Sequence, residues 1–395
     1  MDNIYDYLYW RGDLSFDIVD PTEVDFAIFS ILSYIDFIED LKLEENGKIL
    51  TIAELSKIMD ESKLLIAREG TPSFIIDCLE LLPLLALKNR YKDVQVFAYS
   101  YNFEKDNALQ FAAVSFRLPN DEIIVSYRGT DASLVGWKED FMMSFKKSVG
   151  AQEYGREYLE RLASIFDGTL TLVGHSKGGN IALYSALMAS SETQNRIAKV
   201  YSFDGPGFNK KTLQEFKKCT IKDKMVTLVP QGSVIGILMQ HEEPIEIVYS
   251  NKKNGITQHM PFSWQVNIDT FSRIDRRDTT SLMFDKSIRV WLEKLSEEDM
   301  ENFIDSVFES TDAVGLEHFH DLKLKPIKTI YNVLSTYAVN NIKTRKLIER
   351  IVGSLFSAMK EVSVLEYKNK KEALKNQFKK NKSEIVDTNL VEDKD

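Results

Sequence analysis

The sequence predicts an α/β fold in which a mostly parallel central sheet is flanked by helices. Short runs rich in β-branched and aromatic residues alternate with helical segments between residues 93 and 270. A serine between two glycines separates one such run from the helix that follows. The flanking regions have apolar residues at helical spacing. We therefore expect a helical N-terminal extension (1–92), an α/β core (93–270), and a helical C-terminal extension with a charged tail (271–395).

The individual elements are predicted from their apolar spacing, taken in chain order. In the N-terminal extension, helices are expected where apolar residues cluster, at 26–37, 52–67 and 73–87. In the core, strands are expected at 94–101, 109–118, 122–127, 170–173, 200–203, 225–229 and 246–249. The core helices are expected at 137–147, 152–166, 178–189 and 211–218, with a short one at 234–239.

Composition narrows the class of partner and the compartment. A formal net charge of -10 argues against a nucleic-acid partner, which would need a basic binding face. The two cysteines are far apart in sequence, and the acidic N-terminus has no secretory pattern, so we expect a cytoplasmic protein. No apolar run is long enough to span a membrane. The run 368–382 holds seven lysines and one glutamate, which indicates a solvated segment and leaves a peripheral membrane contact open. The oligomeric state stays open.

The strongest local signal is the segment 172–180, Leu-Val-Gly-His-Ser-Lys-Gly-Gly-Asn. It contains G-x-S-x-G directly after an apolar strand and directly before a helix, which is the context of a nucleophile elbow. Ser176 is the predicted nucleophile, at a helix start where unpaired N–H groups favour a developing oxyanion. The alternative is a glycine-rich turn that only caps a helix or binds an anion.

Three blocks resemble the class 3 lipases of the α/β-hydrolase superfamily, in that family's order. Residues 173–180 resemble its GHSLGG elbow, residues 125–131 its strand and arginine-glycine turn, and residues 200–207 its next strand. The helical extensions suggest a bacterial lipase-like branch. The resemblance implies an α/β-hydrolase fold and an esterase or lipase-like serine hydrolase. It would cleave a small ester or lipid through an acyl-enzyme on Ser176, without metal or cofactor. The alternative is an inactive scaffold or binding protein.

Two backbone N–H groups are candidates for the oxyanion hole. The fold supplies the one that follows the nucleophile, which belongs to Lys177. The family's turn would supply the second from Thr130, and a plain turn after a strand is the alternative. The Lys177 side chain, where many lipases have an apolar residue, raises the hypothesis of a preference for anionic substrates.

The general base must come from five histidines, at positions 175, 241, 259, 318 and 320. His259 is favoured because it follows the last predicted core strand, with His241 as the alternative. His175 is held in the elbow, where its side chain should point away from the nucleophile. His318 and His320 lack a visible third ligand, so no metal site is expected.

The acid of the triad departs from the family pattern. Class 3 lipases carry an aspartate after the strand that corresponds to 225–229, but no carboxylate follows it here before Gly232. Asp204 ends the preceding strand and is the favoured acid, because a carboxylate there can orient a histidine. Glu242 or Glu243 are alternatives, and a turn-forming aspartate is another.

The segment 137–145 follows the turn that contains Thr130, and its apolar and aromatic residues have nearly helical spacing. In class 3 lipases this stretch contributes to a lid, whose apolar face would suit acyl chains. An ordinary helix packed on the sheet is the alternative.

Overall fold

The computed structural model describes residues 2–38, 41–42, 47–67, 71–131, 133–216, 219–313, 350–351, 353–354 and 356–365. His318, His320 and the lysine-rich run 368–382 lie outside the described residues. Within those ranges, no helix is both long enough and apolar enough to cross a bilayer.

The first part of the chain is helical. Its elements are α1 (Ile4–Trp10), α2 (Glu23–Leu32), β1 (Leu50–Thr51), α3 (Ile52–Glu61) and α4 (Ser73–Ala86). Polar side chains fix where two of the helices begin. The Asn3 side chain accepts the Tyr5 N–H at 2.8 Å, and the Thr51 hydroxyl accepts the Glu54 N–H at 3.2 Å. These bonds satisfy N–H groups that have no partner inside the helix.

The main sheet lies in chain order from β1 to β8. After β1 its strands are β2 (Gln95–Glu104), β3 (Leu109–Arg117), β4 (Ile123–Tyr127), β5 (Leu170–His175), β6 (Ile197–Phe203), β7 (Met225–Pro230) and β8 (Ile245–Val248). Neighbours are antiparallel from β1 to β4 and parallel from β4 to β8. This mostly parallel sheet with flanking helices confirms the predicted α/β fold.

Helices connect and follow the parallel strands. They are α5 (Leu134–Met142), α6 (Gly150–Ile165), α7 (Lys177–Met188), α8 (Ser191–Arg196), α9 (Lys210–Phe216), α10 (Gly255–Gln258), α11 (Thr279–Glu293) and α12 (Glu297–Ala313). A two-stranded sheet of β9 (Val266–Asn267) and β10 (Thr270–Phe271) precedes α11.

Both faces of the main sheet are covered by buried apolar side chains. On one face, Val114 and Phe116 of β3 share a core with Phe29 of α2. On the other face, Val125 of β4 shares a core with Ile181 of α7. Coverage of both faces explains why every residue of the central strands β4 and β5 is buried. The helices before residue 93 thus form one layer of the fold, and the domain boundaries given above stay predictions.

A buried ion pair ties α2 to the segment that leads into β2. Arg90 Nη2 lies 2.6 Å from Asp25 Oδ2, and both side chains are fully buried. Tyr7 of α1 donates its hydroxyl to the same carboxylate at 2.9 Å, and Tyr91 also donates to it. Such a pair contributes little net stability. Removing one partner is costly, because the remaining charge would stay buried.

The parallel register brings the carboxyl ends of three strands together. Tyr127 of β4 lies beside Gly174 of β5, and Gly174 lies beside Ser202 of β6. In open α/β sheets, ligands bind outside this edge. The turns that follow β4, β5 and β6 therefore meet at one place, and they contain Thr130, Ser176 and Asp204.

Candidate active site

Ser176 lies at the tip of the tight turn between β5 and α7. Its backbone angles are φ 58° and ψ -133°, which cost about 1–3 kcal/mol in a residue with a Cβ. The turn also needs glycine before it, because a Cβ on Gly174 would lie 2.1 Å from the Gly178 carbonyl oxygen. This is the geometry of a nucleophile elbow, and the Ser176 side chain is only partly buried.

Asp204 and His259 form a direct carboxylate–imidazole pair. His259 Nδ1 lies 2.6 Å from Asp204 Oδ2. Because a carboxylate only accepts, we assign the proton to Nδ1, which leaves the lone pair of the ring on Nε2. Asp204 is fully buried, whereas the His259 side chain is 19% exposed. The buried carboxylate thus orients the imidazole through Nδ1, while part of the ring stays exposed, as a general base requires.

The carboxylate of Asp204 is fixed by two further donors. The Ser233 hydroxyl donates to Oδ1 at 2.5 Å, and the Gly236 N–H donates to it at 3.1 Å. Both donors come from the loop after β7, which forms turns rather than the helix expected at 234–239. The helix prediction was wrong because the backbone of this apolar run turns around the buried acid.

Backbone contacts join the elbow to the acid. The Ser176 N–H donates to the carbonyl of Phe203, the residue before Asp204, at 2.9 Å. Among the described residues, no hydrogen bond joins Ser176 Oγ to His259. Catalytic hydrogen bonds are often long without substrate and tighten in the complex. The structure therefore brings all three predicted residues to one edge, with direct contact between two of them.

His175 contacts His259 from within the core. Its Nε2 lies 2.9 Å from the His259 carbonyl oxygen, and its Nδ1 lies 2.8 Å from the Tyr34 hydroxyl. Burial lowers the pKa of His175 well below its usual value, so the ring is neutral. Burial also raises the pKa of Tyr34, which keeps its hydroxyl a donor. We assign Nε2–H as the donor to the His259 carbonyl, with Tyr34 donating to Nδ1. No short motif signals the contact of Tyr34 with His175, because the two residues are far apart in sequence.

The turn at Gly129 packs against Ser176. A Cβ on Gly129 would lie 3.0 Å from the Ser176 Cβ and 2.1 Å from the Tyr34 hydroxyl. Glycine is therefore required for the turn to approach this closely. Thr130 follows directly, and the Lys177 N–H is the first of α7, where no intrahelical acceptor exists. Of the two predicted oxyanion donors, Lys177 directly follows Ser176 in the chain, and Thr130 directly follows Gly129, which approaches Ser176.

One protein-family model matches the part of the chain that contains Ser176, Asp204 and His259. Residues 85–309, more than half of the chain, match the family model described as Mbeg1-like. The chain belongs to the Mbeg1-like family. This is a lipase-like family of the α/β-hydrolase superfamily. A search of curated proteins gave no match.

In the Mbeg1-like chain, the Lys177 side chain is buried in the core and paired there. Lys177 is 1% exposed, and its Nζ lies 2.9 Å from Glu139 Oε2. The same Nζ donates to the backbone and side-chain oxygens of Gln110 at 2.8 and 2.7 Å. The hypothesis that this ammonium selects anionic substrates was wrong, because the charge is buried and already paired.

Thr130 is held by a carboxylate on α5. Its hydroxyl donates to Asp140 Oδ2 at 2.6 Å. Asp140 Oδ1 is buried and has no hydrogen-bond partner. Burial raises the pKa of Asp140 to about 7. The carboxylate thus occupies the hydroxyl proton of Thr130, and the backbone N–H of Thr130 stays the predicted oxyanion donor.

The alternative site residues of the Mbeg1-like chain have other partners. His241 Nδ1 lies 2.6 Å from Glu243 Oε1, and Glu242 pairs with Lys222 at 3.2 Å. Gln231, which follows β7 where class 3 lipases carry their acid, exchanges two hydrogen bonds with the Ser250 backbone at 2.7 and 2.8 Å. None of these contacts includes Ser176, and the position after β7 has a structural role.

A C-terminal helix of the Mbeg1-like chain lies over the segment expected to be a lid or a packed helix. Within α5, Glu139 is buried whereas Phe141 is 46% exposed. Three acids one turn apart on α12 pair with lysines of the core: Glu297 with Lys211 at 2.7 Å, Glu301 with Lys146 at 3.5 Å and Asp305 with Lys138 at 2.9 Å. Each exposed pair contributes about 1 kcal/mol or less. They align α12 beside α5.

Proposed function

We propose that the chain is a serine hydrolase that cleaves carboxylic esters through an acyl-enzyme on Ser176. The observation that carries this proposal is the 2.6 Å contact between His259 and the buried Asp204, beside a serine on a strained elbow. Membership of a lipase-like family supports it further. Assignment to the class 3 lipases, like the cytoplasmic location, stays a prediction.

In the proposed mechanism, His259 Nε2 takes the proton of Ser176 Oγ as the oxygen attacks the ester carbonyl carbon. Negative charge develops on the carbonyl oxygen, which the N–H groups of Thr130 and Lys177 receive. The ester C–O bond then breaks, and His259 returns its proton to the leaving alcohol. Water repeats these steps on the acyl-enzyme and releases the acid. Asp204 holds the imidazole and stabilises the imidazolium. These steps use no metal or cofactor.

The proposed substrate is a small ester or a lipid. Its support is α5, which follows Thr130 and on which Phe141 is 46% exposed. Acyl chains suit such a surface.

The test is labelling by a small fluorophosphonate probe, which reports an activated serine without a known substrate. We expect the wild type to be labelled and Ser176→Ala and His259→Ala to be unlabelled. Asp204→Asn should be slowed by roughly a thousandfold or more, because the imidazole loses its orienting charge. Ser164→Ala, which changes an exposed serine of α6, is the matched control and should label normally. A folded wild type that does not label would contradict the proposal and favour the inactive scaffold.

A further inference from the structure

A buried ion pair includes Lys177, which carries one of the proposed oxyanion N–H donors. Lys177 and Glu139 are 1% and 0% exposed, and their charged atoms lie 2.9 Å apart. The ammonium has three N–H donors, and three acceptors surround it: one from Glu139 and two from Gln110. The side chain therefore has a single well-defined position.

Glu139 joins four elements of the fold at this point. Its Oε2 accepts from Lys177 Nζ and from the Gln110 N–H of β3 at 3.1 Å. Its Oε1 accepts the Ala151 N–H in the first turn of α6 at 2.7 Å. Glu139 itself belongs to α5 and Lys177 to α7. One carboxylate thus fixes the start of α7 relative to α5.

The two ends of this network are the two proposed oxyanion donors. Lys177 carries one N–H on its own backbone. The residue after Glu139 is Asp140, which holds the Thr130 hydroxyl at 2.6 Å. The path from one donor to the other therefore runs through two consecutive carboxylates of α5, and both links are buried or half-buried.

Stability alone does not explain a charged pair here. Apolar residues of similar volume are often as stable as a buried ion pair, or more stable. Hydrogen bonds to charged groups, in contrast, are short and directional, and a site needs its donors held within about 0.5 Å. We propose that the Lys177–Glu139 pair is a positioning device that fixes the distance between the two oxyanion N–H groups. This inference rests on the proposed function.

The experiment compares two probes that differ only in the atom facing the oxyanion hole. One is a fluorophosphonate with P=O, and the other is its fluorothiophosphonate analogue with P=S. Sulfur accepts only weak hydrogen bonds, so the hole accelerates the P=O probe more. The quantity measured is the ratio of the two labelling rates. It does not depend on the fraction of protein that is folded, because unfolded protein lowers both rates equally.

The main variant is Lys177→Met/Glu139→Gln, which removes both charges and leaves no unpaired ion in the core. Glu139→Gln alone is the second variant, which keeps the shape of the side chain but leaves the Lys177 ammonium without its carboxylate. The control is Lys222→Met/Glu242→Gln, which removes an exposed ion pair whose side chains are 38% and 45% exposed. Folding of each variant is checked by circular dichroism and thermal unfolding.

We expect the ratio of P=O to P=S rates to fall by about fivefold to twentyfold in the main variant, less than the hundredfold or more for losing a whole donor. The control should keep the wild-type ratio. A ratio within about twofold of wild type in either folded core variant would overturn the inference. A displaced N–H donor must slow labelling by the P=O probe more than labelling by the P=S probe. Failure of the proposed function is distinct, since the wild type would then label with neither probe.

Discussion

Replacing Tyr34 by phenylalanine removes one oxygen atom and leaves the rest of a buried ring in place. That oxygen donates to His175 Nδ1 at 2.8 Å, and His175 in turn donates to the His259 carbonyl at 2.9 Å. The variant therefore tests whether the N-terminal layer of the fold supports the proposed general base. No apolar contact is lost, so the effect comes from the hydrogen bond.

The expected loss of stability follows from this geometry. A buried hydrogen bond contributes about 1 kcal/mol net, and a buried acceptor left without a donor costs about 1–3 kcal/mol. We expect Tyr34→Phe to lower the free energy of unfolding by about 1–2 kcal/mol. The ring of His175 also loses the partner that fixes its tautomer. If its proton moves to Nδ1, the Nε2 lone pair faces the His259 carbonyl oxygen, and the two atoms repel.

Urea unfolding followed by intrinsic fluorescence measures the first effect, and the rate of fluorophosphonate labelling measures the second. We expect labelling to slow by about threefold to tenfold, because a displaced base transfers protons less well. Tyr154→Phe is the matched control, since that hydroxyl is exposed and lies 3.4 Å from Glu104; it should change unfolding by less than about 0.5 kcal/mol. Equal stability and equal labelling in Tyr34→Phe and the wild type would refute this account of His175.

Three further predictions concern stability. Ser176→Gly should unfold at higher urea than Ser176→Ala, by about 1 kcal/mol, because glycine adopts φ 58° without strain; equal midpoints would count against strain at the elbow. The pKa of Asp140 is raised from 3.8 to about 7, so its contribution to stability is complete below pH 4 and is lost as the pH rises through 7. The melting temperature of Asp140→Asn relative to wild type should therefore be higher at pH 8 than at pH 5, and a pH-independent difference would contradict this. Asp25→Asn should cost about 3–5 kcal/mol in urea unfolding, since it leaves Arg90 buried and unpaired. The exposed Glu61→Gln should cost under about 1 kcal/mol, and similar losses in the two variants would argue against a buried charge.

The elbow and the positions of the core strands were predictable because their signals are local. The run from 170 to 180 contains its own strand, its turn glycines and the start of its helix, so Ser176 could be placed without knowledge of distant residues. His259 and Asp204 were reached by chain order, which works because parallel strands place successive turns at one edge. Neither inference required a side-chain contact to be known.

Long-range contacts were not predictable from the sequence. Tyr34 meets His175 only because α2 packs on β5, and no spacing signals that contact. Lys177 next to the nucleophile suggested a substrate contact, whereas its acceptors Glu139 and Gln110 come from elements far apart in the chain. The apolar run 234–239 resembles a helix by composition. It forms turns instead, because the buried carboxylate of Asp204 requires hydrogen-bond donors, and this requirement overrides the helix propensity.

The connection from Tyr34 through His175 to His259 has a consequence for how the protein is made. Residues of the first helical layer leave the ribosome early, whereas the loop that carries His259 leaves only after every strand of the main sheet has been synthesised. At ordinary rates of about 5–20 residues per second, that interval lasts on the order of ten seconds or more. In the last part of that interval, after α7 has been synthesised, the elbow can form but His259 is still absent. A growing chain therefore cannot hydrolyse the membrane lipids or esters around it, and the chemistry that we propose begins only when the core is complete.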